Sequence, residues 1–160
     1  MLKFFRPNDI YGVLTIFGDS RNVMTVEAIE NVTNLQISRF KLHQILRQYP
    51  EVLLELYEDI ASKLRMRVLN LDNDYLSAEQ RIIKSLVEIS QQFGYKSENG
   101  IILKLKLTQE YLAAYSGTSR TSVSRLLYEL DRQRIIRIMP KPYMILQLDQ
   151  LLQILHGRKV

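Results

Sequence analysis

Thr121, Ser122, Ser124 and Arg125, with Arg120 just ahead of them, crowd hydroxyls and guanidinium groups into one short stretch. Such donors suit phosphate oxygens and base edges of DNA. Catalytic chemistry finds no comparable cluster. His43 and His156 are the only histidines, and neither has a second ligand at metal-binding spacing. Asp72 and Asp74 form an acidic pair inside LDND, with no third ligand beside them. The six glycines are scattered and make neither a GxGxxG nor a P-loop pattern. The chain reads as a binding protein, not an enzyme.

The elements that position the cluster lie within Thr108–Ile136. The pattern predicts a first helix from Thr108 to about Tyr115, with Leu112 and Ala113 facing a core. A corner at YSGTS follows, then a second helix from about Ser119 to Gln133. Gly117 stands where the first helix must stop and the backbone turns left-handed. Thr118 or Ser119 can cap the amides of the second helix. In that helix Val123, Leu126, Leu127 and Leu130 recur at spacings of three and four, leaving Thr121, Ser122 and Arg125 on the other side. A helix, a tight turn and a second helix that opens with Arg, Thr and Ser fits the DNA-reading helix-turn-helix.

Charge supports that reading. Residues 101–160 hold ten Lys or Arg against four Asp or Glu, whereas residues 1–100 hold twelve against thirteen. The formal charge of +5 is therefore a basic C-terminal segment on a nearly neutral carrier, as a polyanion-binding module would be. Apolar residues make up 46% and charged residues 24%, an ordinary globular composition with no disorder signature. No apolar run is long enough to span a membrane. The start MLKFFRPND is no signal peptide. The lack of cysteine excludes disulfides, cysteine-ligated clusters and thiol redox sensing within this chain, and suits the cytoplasm.

Taken in order, the N-terminal stretch offers candidate strands at Val13–Phe17, Val23–Ile29 and Val32–Ile37, read as part of an antiparallel unit. A short helix is expected over Ser38–Arg47. Pro50 then opens a long one, on which Leu53, Leu56, Ile60, Leu64, Val68 and Leu71 keep a three-to-four spacing. A narrow aliphatic stripe of about 30 Å without a sister helix invites pairing across a two-fold axis. NLDNDY is a hinge. Ser77 and Gln80 form a capping box ahead of a helix that buries Ile82, Ile83, Leu86, Val87 and Ile89 and ends near Gly94. YKSENG reads as a loop, and the alternation Leu103-Lys104-Leu105-Lys106-Leu107 as a half-exposed strand. Ile135, Ile136 and Ile138, the turn MPKPYM and Ile145–Leu148 form a hairpin, hence a wing. Asp149–Leu155 is a last short helix, and Tyr128 is placed to tie the helix pair to the rest of the module.

The expected architecture is α+β: a partial antiparallel unit with a short helix over 1–49, a long dimerisation helix over 50–73, and a winged helix-turn-helix over 74–160. Lys106, Thr108, Thr118, Ser119, Ser122, Ser124, Arg137 and Lys141 are placed to hold the DNA backbone, with Lys104 and Arg134 adding attraction.

Over about Ala78–Leu148 these residues resemble the Crp/Fnr family of bacterial transcription regulators. The resemblance rests on Leu107-Thr108-Gln109-Glu110-Tyr111-Leu112-Ala113, then Gly117-Thr118-Ser119-Arg120, then Val123-Ser124-Arg125-Leu126-Leu127. Upstream, FRPNDIYG is similar to the family's entry into the later half of its sensory β-roll, which implies a chain that begins inside the roll. The resemblance places Arg120 and Arg125 against base edges in the major groove. Between them the family's usual glutamate is replaced by Thr121, which can touch a thymine methyl but neither accepts from cytosine nor orders the arginines as well. The family's commonest operator is therefore not assigned. Nucleotide-sensing members carry a Gly-Glu pair and an Arg-Ser/Thr pair; here Gly12 precedes Val13 and Asn22-Val23 stands at the second place, which argues against a cyclic nucleotide and leaves the effector open. The implied partners are double-stranded DNA, a second copy of the chain and RNA polymerase, with no cofactor. The alternative is a truncated pseudo-regulator that pairs with a full-length relative and modulates it.

Overall fold

The computed structural model describes residues 4–17, 25–69 and 75–157, apart from the side chains at 14, 17 and 66–69. The chain divides into two compact units, residues 8–72 and residues 73–160 joined by 1–7.

In the first unit, α1 is a single turn, Leu14–Phe17, closed by the Thr15 hydroxyl donating to the Gly12 carbonyl at 2.7 Å. The short helix α2, Arg39–Gln48, starts where the Ser38 side chain accepts from the Lys41 N–H. The 20-residue α3, Pro50–Leu69, opens on proline, whose missing N–H has no helical acceptor at that position anyway.

Two expectations for this unit change. The strands at Val13–Phe17, Val23–Ile29 and Val32–Ile37 do not form among the described residues. Positions 14–17 are helical, 25–29 and 32–37 are unpaired, and Val23 lies outside the described residues. The partial β-roll is thus not formed there. Strand propensity expresses packing against neighbours, and Val26, Val32, Leu35 and Ile37 stay 43%, 65%, 95% and 48% exposed. Second, the aliphatic stripe of α3 is split. Leu56 is buried and Ile60 half-buried, while Leu53, Leu54, Tyr57 and Leu64 stay exposed. The Val68 side chain and Leu71 lie outside the described residues.

The second unit carries the α+β character. Helix α4, Ala78–Phe93, opens with the complete Ser77–Gln80 capping box and buries Ile82, Ile83, Leu86, Val87 and Ile89. Each such side chain contributes roughly 1.5–3 kcal/mol by leaving water. What reads locally as a loop is a hairpin: β1, Gly94–Ser97, pairs antiparallel with β2, Gly100–Leu103. Strand β2 stops at Leu103, and only the burial of Leu103 and Leu107 against exposed Lys104 and Lys106 preserves the alternation expected to follow. Helices α5, Gln109–Ser116, and α6, Arg120–Arg132, come next. Strands β3, Ile136–Arg137, and β4, Met144–Ile145, complete an antiparallel sheet of order β1-β2-β4-β3, and α7, Leu148–Leu155, closes the unit.

Residues 4–7, grouped above with the N-terminal domain, belong instead with this second unit. Phe4, 7% exposed, stacks on Tyr115 at 5.5 Å and meets Phe93 and Tyr111 edge-on at 6.0 and 6.3 Å. Edge and offset contacts of this kind are the favoured aromatic geometries.

Candidate nucleic-acid interface

Backbone chemistry fixes the angle between α5 and α6. Thr108 caps α5 by accepting from the Tyr111 N–H at 3.1 Å. Gly117 ends it in the left-handed region at φ 63°, ψ 39°, where a side chain would clash with its own backbone. Ser119 then caps α6, accepting from the Ser122 N–H at 3.0 Å. On the inner side Val123, Leu126, Leu127 and Leu130 are buried. The Arg81 guanidinium of α4 reaches from below and donates to the Gly117 carbonyl at 3.5 Å.

On the outer side Arg120, Thr121, Ser124 and Arg125 are exposed together along α6. The hydroxyl of Ser122 lies 2.9 Å from that of Ser119, which keeps both beside the helix start. Thr118 is less available: its hydroxyl is 2.7 Å from that of buried Ser116. Thr108 is half-buried at its cap, and Lys106 is exposed. In the wing, Arg137 is exposed and donates to the Met144 sulfur at 3.4 Å, and Lys141 sits 5.8 Å from the Tyr143 ring. Lys104 packs over the Tyr95 ring at 4.3 Å. Tyr128 is 66% exposed and therefore does not anchor the helix pair to the module.

Two carboxylates escaped the sequence reading. Glu110, in the first turn of α5, accepts from Arg120 Nε at 2.7 Å, and Glu79, in the first turn of α4, lies 3.9 Å from Arg125 Nη2. The Glu110 carboxyl is held below its usual range, first by the hydrogen bond from its own backbone N–H. The Thr108 hydroxyl, Arg120 and Lys141 act the same way, against desolvation that raises it. Tyr143 in the wing is raised by burial and by the Glu110 charge. Neither carboxylate has a periodic signal in sequence, because each pairing needs the turn between helices to be built first.

Residues 80–154 match the Crp-like helix-turn-helix domain. The chain is 27% identical over 152 residues to the CRP-like cAMP-activated global transcriptional regulator of Mycobacterium tuberculosis, covering 94% of this chain and 68% of that protein. It is also 27% identical over 139 residues to the anaerobic regulatory protein of Bacillus subtilis, covering 86% and 58%. Among solved structures, a Crp/Fnr-family transcriptional regulator of Thermus thermophilus superposes with a TM-score of 0.59 at 25% identity, covering 69% of this chain and 57% of that one. A variant of CooA from Carboxydothermus hydrogenoformans shares the fold at a TM-score of 0.64 and 24% identity, covering 72% and 54%. The chain thus spans from about half to two thirds of the length of the proteins it matches. Residues 80–154, which include the helix pair and hairpin described above, thus match a Crp-like helix-turn-helix domain, and the chain is similar to transcriptional regulators of the Crp/Fnr family.

Proposed function

We propose that the chain binds double-stranded DNA sequence-specifically as a homodimer, acting in the cytoplasm, with α6 in the major groove. The observation that carries this reading is the division of α6 into a fully buried aliphatic side and an exposed side bearing Arg120, Thr121 and Arg125. Arg120 and Arg125 would donate to guanine edges and Thr121 would touch a thymine methyl. Ser119, Ser122, Ser124, Lys106, Arg137 and Lys141 would grip phosphates, as would Thr108 and Thr118 to the extent that their caps and bonds leave them free.

Dimerisation would use α3. Leu53, Leu54, Tyr57 and Leu64 present a run of large apolar side chains on one unpartnered side of it. Two copies would then address half-sites about one helical turn, 34–36 Å, apart on a near-palindromic duplex. RNA polymerase is the further partner this role implies. The effector is not a cyclic nucleotide in this reading, since Val13, which follows Gly12, is a buried apolar residue where a ribose-holding carboxylate would be needed.

Titration of the protein into a duplex it selects from a random pool and into random duplex, read beside its sedimentation mass, tests the proposal. Selective binding by a dimer supports it, and equal binding to both duplexes removes it. A second reading is capture of a full-length relative in a heterodimer. It draws on the apolar side chains at Val26, Val32, Leu35 and Ile37, which are exposed. Poor DNA binding, with a mass that changes only on mixing with such a relative, favours it.

A further inference from the structure

The base-reading arginine proposed above is already held by a carboxylate from the other helix of the pair. Arg120 Nε and Glu110 Oε1 are 2.7 Å apart, with side chains 69% and 60% exposed. An exposed pair of this kind adds little to folding stability, so its consequence lies in orientation. A guanidinium has one Nε–H on its side edge and four N–H bonds on its two terminal nitrogens. With the side edge occupied, only the terminal fork remains, and that fork makes the paired contact to guanine O6 and N7. An arginine without such a tether can swing onto any nearby phosphate. The adjacent side chain on α6 is Thr121, which carries no charge to do the tethering.

The electrostatic surroundings agree. Glu110 also feels the Lys141 ammonium and acts on Tyr143, so one carboxylate serves both the start of α6 and the wing. It is a negative charge on a surface otherwise fitted for a polyanion. That charge raises the cost of approach by a phosphate that offers nothing but its own charge.

We propose that Glu110 is a positioning and specificity-determining residue for DNA reading: its carboxylate holds Arg120 by Nε, leaves the terminal nitrogens for one base edge, and disfavours exchange of the guanidinium onto phosphate. The inference rests on the DNA-reading assignment above.

The test uses the full chain, Glu110→Gln, Arg120→Ala and the double variant. Each is titrated at one salt concentration against a duplex the parent selects from a random pool and against random duplex of equal length. Glu110→Gln should tighten random binding and lower the selected-to-random affinity ratio about three- to tenfold, part of what one paired base contact provides. In the Arg120→Ala background the same substitution should leave the ratio unchanged. The inference is overturned if both duplexes tighten by one common factor, or if thermal stability falls while the ratio holds. A parent that prefers no duplex at all overturns the DNA-reading assignment itself, an outcome visible before any variant is made.

Discussion

Asp131 Oδ1, in the last turn of α6, accepts from the backbone N–H of Ile138 at 3.1 Å and so ties α6 to the residue that follows β3 into the wing. The Asp131 carbonyl also accepts from the Arg134 N–H at 2.9 Å, closing the bend between them. Asp131→Ala leaves a half-buried N–H without its charged acceptor and should cost about 1–2 kcal/mol in stability. Urea midpoints measure that loss. Binding to selected and random duplex should weaken together, because the wing loses its position and base contacts do not change.

Gly117 separates conformational cost from crowding. Its φ is +63°, yet no atom lies within 4 Å of where a Cβ would stand. Gly117→Ala should therefore cost about 1–2 kcal/mol through backbone strain alone. Gly117→Asn should cost less, since asparagine tolerates the left-handed region better. An alanine variant as stable as the parent would contradict the turn geometry. Gly100→Ala should be worse: its Cβ would stand 2.1 Å from the Ile145 carbonyl oxygen, where β2 passes β4.

Much of the helix pair was legible because its determinants are local. Ser77, Thr108 and Ser119 cap the helices they precede, Gly117 turns left-handed, and the apolar residues of α4 and α6 recur at helical spacing. What remained hidden depends on distant partners. The register Ile101↔Ile145 and Ile102↔Met144 sets where β2 pairs, and no pattern within residues 94–107 reveals it. Val32 and Leu35 are apolar yet exposed and lie in no strand, so their types mislead. At the interface Arg120 and Arg125 stand out by type, while Glu110 and Glu79 become relevant only once α4, α5 and α6 have packed.

The Tyr115 hydroxyl donates to Glu88 Oε2 at 3.3 Å, and burial foremost, then the Glu88 charge, pushes its pKa up from 10.0 to about 12. The folded state thus favours the protonated phenol. The stability this contributes is whole below the ordinary tyrosine value and is lost as pH rises through about 12. Following tyrosinate absorbance, one late-ionising component should vanish in Tyr115→Phe. Ionisation of Tyr115 in the ordinary range would contradict its packing beneath Phe4.

The α3 face predicts self-association. Leu54 and Leu64 are 65% and 61% exposed, so a charge at either leaves the unit's own core intact. Leu54→Glu with Leu64→Glu should halve the sedimentation mass without lowering helix content. Affinity for a two-half-site duplex should fall while a single half-site is bound as before. An unchanged mass would place the dimer contact elsewhere.

In the proposed docking Arg120 and Arg125 read bases. The most direct test compares Arg120→Ala with the parent on a selected duplex and on random duplex at one salt concentration. A loss of about 1–3 kcal/mol on the selected duplex, with a much smaller loss on random DNA, is the predicted result. Equal losses on both duplexes would make Arg120 a phosphate contact instead of a base reader.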